Sequence, residues 1–270
     1  MENKTKENKI TSLYEVEDTI LFQLGENKYA SKGSYFIHLE KREQFNNQII
    51  VNRSAFKIDD KEVEKKFPKI SNLYFSSVFP LILTYHEGNY LIAEYKETAK
   101  RIMEHDQNIR SNYSGNGLEH IRDQFLAKVK NQTDFQRFIE PLPIYQVLNI
   151  SATPKFKKEQ SNFKWNIAGL GIIDGNGKFE LDSETNKMNF ILEQTDKSYL
   201  MELLMNYISE NEISMSFNEN ENPEINFTIE TIYNDSLNSI QNAKAELQIT
   251  VGEKFKYAQT FFLTLSPKNN

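Results

Sequence analysis

The stretch Tyr95–Glu140, YKETAKRIMEHDQNIRSNYSGNGLEHIRDQFLAKVKNQTDFQRFIE, decides the fold class. Inside it apolar residues recur every three or four positions, while on both sides they alternate with polar ones, as half-buried strands require. Tyr95, Ala99, Ile102, Met103 and Ile109 share one face of a helix, with Lys100, Arg101, Glu104 and Gln107 mostly opposite. Ser114-Gly115-Asn116-Gly117 breaks that helix, and Asn116 with Glu119 reads as the N-cap and capping-box partner of a second one. Leu118, Ile121, Phe125 and Val129 form the second stripe. A third, Asp134–Glu140, shows Phe135, Phe138 and Ile139 and is stopped by Pro141-Leu142-Pro143. Ile102, Met103, Ile121 and Phe125 are expected to be buried. Such faces need a cover, and packing on the preceding hairpin is the simplest one.

Working outward, Tyr14, Val16, Ile20, Phe22 and Leu24 keep one parity, with Asp18 the single break, and read as a long strand turned by Gly25-Glu26-Asn27. Tyr35, Ile37 and Leu39 alternate next, then Gln48–Asn52. Asp59-Asp60 marks a turn, and Ile70–Ser77 a short helix. Leu81–His86 and Tyr90–Tyr95 form a hairpin around Glu87-Gly88-Asn89. After the helical block, Ile144–Ile150 reads as a strand.

Downstream, Phe163–Ile173 carries Trp165 and Ile167, then Gly169 and Gly171. Asp174-Gly175-Asn176-Gly177 is the strongest turn signal of the chain. Phe179/Leu181 and Met188/Phe190/Leu192 follow, then a helix at Lys197–Ser209 with Leu200, Leu203, Leu204, Tyr207 and Ile208 on one side. Four more strands are expected: Ile213/Met215/Phe217, Ile225/Phe227/Ile229, Ala245/Leu247/Ile249/Val251, and Phe255–Leu265. The class is therefore α+β. A β-rich N-terminal part, its helical block packed on a hairpin, precedes a mainly antiparallel β-sandwich or barrel-like C-terminal domain with one helix. Expected divisions are a disordered 1–10, an α+β domain at 11–154, a linker at 155–162 and an antiparallel β domain at 163–270.

Composition bounds the function. With 270 residues, 39% hydrophobic and 26% charged, and a mean hydropathy of −0.62, the chain is an ordinary globular one able to bury a core. Cysteine is absent, which removes disulfides and thiolate chemistry. No apolar run suits a membrane span, and the charged start, Met1–Lys9, has no apolar segment behind it. A cytoplasmic location and no membrane insertion are expected. Residues 1–150 are charge-neutral, whereas residues 151–270 hold 11 basic against 17 acidic residues, the whole net charge of −6. No basic residue stands between Lys197 and Lys244, a gap that contains Glu202, Glu210, Glu212, Glu219, Glu221, Glu224, Glu230 and Asp235. Such a surface repels nucleic acid and favours a basic partner.

Chemical motifs are sparse. His38, His86, His105 and His120 lack ligand spacing, although His105 and His120 sit beside Glu104 and Glu119 on consecutive helices. Asp174–Gly177 lacks the alternating ligands and the closing glutamate of a calcium loop. Ser114–Gly117 lacks the Lys-Ser/Thr of a phosphate loop, and no Gly-x-Ser-x-Gly elbow occurs. Asp59-Asp60 and Glu140 are the carboxylates to weigh, without a visible partner across a cleft. Three readings result, none of which calls for a cofactor or metal. The first is a non-enzymatic interaction or adaptor subunit that binds a basic protein partner through Glu210, Glu212, Glu219, Glu221 and Glu224. The second is a binding protein whose C-terminal β domain encloses an apolar ligand with Trp165, Phe190, Met215 and Phe227. The third is a hydrolase around His105, Glu119 and His120. Oligomeric state is not readable from the chain.

Overall fold

In the computed structural model, residues 9–42, 48–152, 160–182, 184–218, 221–234 and 239–267 are described. Among the described residues twelve strands form one antiparallel sheet, with six helices, and the sheet is not closed into a barrel. Its order is β6-β5-β3-β2-β1-β12-β11-β10-β9-β8-β7, with β4 on β3. The strands are β1 (Lys9–Leu24), β2 (Asn27–Arg42), β3 (Gln48–Ile58), β4 (Lys61–Glu62), β5 (Leu81–His86), β6 (Asn89–Ile92), β7 (Gln160–Ile167), β8 (Gly171–Asp182), β9 (Lys187–Thr195), β10 (Glu224–Asn234), β11 (Ser239–Val251) and β12 (Phe255–Leu265). The helices are α1 (Lys66–Ser76), α2 (Tyr95–Asn112), α3 (Asn116–Lys128), α4 (Gln132–Ile139), α5 (Pro143–Ala152) and α6 (Lys197–Glu210). The expected sandwich or barrel is thus corrected to one open sheet. Two compact units divide the chain: one is residues 34–139 with the ends up to Glu15 and from Leu265, the other Val16–Gly33 with Glu140–Thr264. Of the expected linker, 155–159 lie outside the described residues, and Gln160 already begins β7; of the expected disordered start, 1–8 lie outside them, and Lys9 begins β1.

In the first unit the hairpin β5–β6 forms where its alternation predicted it, closed by left-handed Glu87 (φ 48°) and Gly88 (φ 93°). The helical block holds as well: Ile102, Ile121 and Phe125 are buried. Met103 is the exception, 48% exposed. The inward face of α2 is Thr98, Ile102, Asp106 and Ile109, so two polar residues take places that an apolar count gave to Met103. Asn116 does not cap α3; Gly115 holds that position without a side-chain bond. Tyr74 and Phe125 rings lie 5.3 Å apart, and Phe125 and Phe138 6.0 Å, which joins α1, α3 and α4 in one aromatic core. Sheet-edge strand β6 is covered by α4: Gln136 Oε1 accepts from Ile92 N, and Gln132 Nε2 donates to Ile92 O. Two glutamines stand in for the missing strand and blunt the edge.

In the second unit α5 replaces the expected strand at Ile144–Ile150. Every residue from Ile144 to Ser151 is buried, and a segment buried all round carries no amphipathic period. Pro143 is the helix's first residue, where its missing N–H costs nothing. The expected turn at Asp174–Gly177 is also corrected, because β8 runs straight through it. A Cβ on Gly175 would lie 2.2 Å from Gln194 O, and one on Gly177 2.4 Å from both Ile191 O and Phe190 Cζ. These glycines permit close approach of β9 at a bulge between Asn176 and Gly177. The turn lies earlier, at residues 168–170 with Gly169 at φ 85°. Ile213, Met215 and Phe217 are half-buried between exposed Ser214 and Ser216, as their alternation requires, but among the described residues they pair with no strand, so the strand expected there is corrected to a loop. Lys254 Nζ donates to Ser216 O at 2.9 Å instead.

Candidate functional site

α6 begins where Asp196 accepts a hydrogen bond from Tyr199 N, and it buries Leu200, Leu204 and Ile208. Residues off that stripe form an outward arc: Tyr199, Glu202, Met205, Asn206 and Glu210. Tyr199 is 42% exposed and Met205 44%, so the arc sets two large apolar groups among carboxylates. Glu212 follows in a left-handed conformation (φ 52°), exposed like Glu210. Among the described residues no cation pairs with Glu202, Glu210 or Glu212.

The acidic residues of the sheet differ. Lys187 Nζ lies 2.6 Å from Glu230, Lys244 Nζ 2.8 Å from Glu246, and Lys178 Nζ 3.4 Å from Glu193. The first and third pairs cross between neighbouring strands and the second lies along β11; each carboxylate is neutralised locally, a small stabilisation at an exposed site. Of the five glutamates singled out in the sequence, Glu210 ends α6 with Glu212 in the turn after it, and Glu224 starts β10, exposed. Glu221 instead braces its own loop, since its Oε2 accepts from Asn218 N at 2.7 Å and lies 3.9 Å from Lys254 Nζ. Glu219 lies outside the described residues. Periodicity missed Tyr199 and Met205 because it reads the inward stripe; their signal was being apolar and off that stripe.

The residues proposed to enclose a ligand form a ring cluster. Phe227 is centred 4.1 Å from Phe163, 4.9 Å from Trp165 and 6.2 Å from Phe190, all fully buried. Met215 lies in the loop after α6, where its Cε would meet a Cβ on Gly25 at 2.8 Å. Beside the rings runs a polar chain. Gln259 Oε1 accepts from Trp165 Nε1 at 2.8 Å and from Tyr257 Oη at 2.7 Å, and its Nε2 donates to Asp18 Oδ1 at 2.8 Å. Burial pushes the Asp18 carboxyl up to about 6, the Gln259 amide opposing it. The parity break in β1 is therefore an acid held on the buried side of its strand.

His105 and His120 are exposed, and His120 Nε2 lies 3.1 Å from Gln124 Nε2. Among the described residues, no group of three His, Asp or Glu side chains is placed to hold a metal ion. Glu140 pairs with Lys164 at 2.7 Å, and Asp59 and Asp60 occupy the left-handed turn between β3 and β4. Among the described residues no helix is long and apolar enough to cross a membrane.

No protein-family model matches the chain, and no curated protein does. Among solved structures it is similar to a chain described as "Lipid-protein interactions in lipovitellin", at 11% identity and a TM-score of 0.45. That match covers 97% of this chain and 25% of the other, so the chain spans a quarter of its neighbour's length. So slight a likeness says nothing of what this chain binds.

Proposed function

We propose that the chain is a non-catalytic binding protein that docks a basic protein partner on the outward arc of α6 and the turn after it. The observation that carries this reading is a contrast within one unit. Glu193, Glu230 and Glu246 of the sheet are matched by lysines, whereas Glu202, Glu210 and Glu212, among the described residues, stand unpaired around exposed Tyr199 and Met205. Charge guides encounter and selects the sign of the partner, while desolvated apolar anchors hold it. The occupant is a segment with Lys or Arg flanking an apolar residue, since the arc itself contains no cation.

Photo-crosslinking from position 199 in the full chain tests this. Cross-linked peptides are expected to be rich in Lys and Arg, and none should form from a control position on the sheet, Thr228. The triple change Glu202→Gln, Glu210→Gln, Glu212→Gln should reduce capture at low salt by about tenfold, as three exposed ionic contacts warrant. Met205→Ser should reduce it at every salt concentration, and neither variant should shift the melting temperature. Cross-links to acidic segments, or equal capture by wild type and triple variant, would overturn the reading.

A further inference from the structure

A cleft of about 350 Å³ lies between the β3–β4 hairpin and α1, all within the first unit. That volume is at the small end of ligand pockets, which span roughly 300–1,000 Å³. Phe56 and Leu73 supply its apolar lining, and Lys57, Lys69 and Asn72 its donors. Among the described residues neither lysine has a carboxylate partner. Glu62 and Glu64 also line the cleft, equally unpaired among those residues, so its own side chains sum to no net charge.

The balance is tipped by Arg53, just behind the wall. Its guanidinium sits 4.1 Å from the centre of the Phe56 ring, 4.7 Å from Tyr35 and 5.0 Å from Phe75. Burial lowers its pKa to about 10, which still leaves it charged at neutral pH. Among the described residues no carboxylate meets it, and its buried Nε has no hydrogen-bond partner. A half-buried cation without a counter-ion is costly, since cation–π contact replaces only part of the lost hydration. Nη1 donates to Asn72 Oδ1 at 3.0 Å. Asn72 thus gives its carbonyl to Arg53, which leaves its NH₂ group as the donor a ligand could use. The hairpin wall is strained too: Ala55, Asp59 and Asp60 are left-handed at φ 53°, 50° and 61°. Non-glycine residues hold that conformation at a cost and are over-represented at binding sites.

We infer that this cleft binds a small organic monoanion, its carboxylate held by Lys57, Lys69 and the Asn72 amide and its apolar body lying on Phe56. A dianion is disfavoured by Glu62 and Glu64, and a cation by Arg53. Phenylacetate is a suitable probe, followed by ¹H–¹⁵N NMR of the full chain. Saturable shifts are expected at the Asn72 side-chain amide and around Phe56, with a Kd on the order of 1 mM for so small a ligand. Benzylamine should cause none, and inorganic phosphate should bind more weakly. Lys69→Gln, on an exposed side chain, should weaken phenylacetate at least about fivefold, the loss of one charge-assisted bond. Asn72→Asp offers a second arm: a built-in counter-ion for Arg53 should raise the melting temperature and abolish phenylacetate binding. Equal shifts with benzylamine, no saturation, or unchanged affinity in both variants would overturn the assignment.

Discussion

Replacing Asp106 with alanine is expected to cost about 3 kcal/mol of stability, at the lower end of the range for breaking a buried ion pair. Asp106 is 2% exposed, and its carboxylate gathers three helices. From α1, Tyr74 Oη donates to Oδ1 at 2.8 Å; from α3, Arg122 donates through Nε at 2.9 Å and Nη2 at 3.2 Å, while Asp106 itself belongs to α2. Fork geometry of this kind gives the strongest protein hydrogen bonds. The same contact holds the Arg122 pKa above its usual value. Removing the carboxylate strands a buried phenol and a guanidinium; because Arg122 remains 22% exposed, water recovers part of its loss. Arg122→Leu should be worse, since it leaves the anion at 2% exposure without its counter-charge. Urea unfolding followed by the helical signal measures both. The triple change Asp106→Leu, Arg122→Leu, Tyr74→Phe should recover most of either loss, because a matched apolar cluster strands nothing. If Asp106→Ala unfolds like wild type, the carboxylate does not tie these helices together.

The same residue shows what the sequence could and could not disclose. α2 was legible as a helix because Ile102 and Ile109 keep the period, yet its inward face was misassigned at Met103. Asp106 holds that face through bonds with Tyr74 and Arg122, and Thr98 accepts from Arg101, whose guanidinium also donates to the Ser77, Val78 and Pro80 carbonyls; no local pattern encodes those distant partners. α5 was missed for the converse reason. Ile144–Ile150 is largely apolar, in part β-branched, and buried on all sides, a composition that strand and buried helix share. At Asp174–Gly177 the turn dipeptides were real, but glycine also serves where a neighbouring strand leaves no room for a Cβ. Strands with one solvated face, such as β11 and β12, were read correctly because only there does alternation survive. For the binding arc, the depletion of Lys and Arg after Lys197 was visible in the sequence. Which glutamates lysines neutralise was not, since Lys187 reaches Glu230 and Lys254 approaches Glu221 only through strand pairing and loop packing.

Asp18 carries the last expectation, a stability that falls as pH rises. Its folded-state pKa of about 6 stands above the ordinary 3.8 because burial disfavours the anion and one amide, from Gln259, offsets only part of that. The amide is not free to do otherwise. Trp165 Nε1–H and Tyr257 Oη both point at Gln259 Oε1, so Nε2 must face the acid. With the folded pKa raised, the native state binds the proton more tightly than the unfolded chain does. The associated stability is fully present below pH 3.8 and is lost as pH rises through about 6. A shift of this size corresponds to about 2–3 kcal/mol between the two limits. Asp18→Asn keeps an acceptor for Gln259 and cannot ionise. It is therefore expected to stabilise the protein by about 2 kcal/mol at pH 8 and by almost nothing at pH 4, which amounts to removing the linkage. Thermal melts of both proteins at half-unit steps of pH read this directly. Parallel pH profiles would show that Asp18 titrates like an exposed carboxyl. A variant that is less stable at pH 8 would show that the anion itself is bound by the fold.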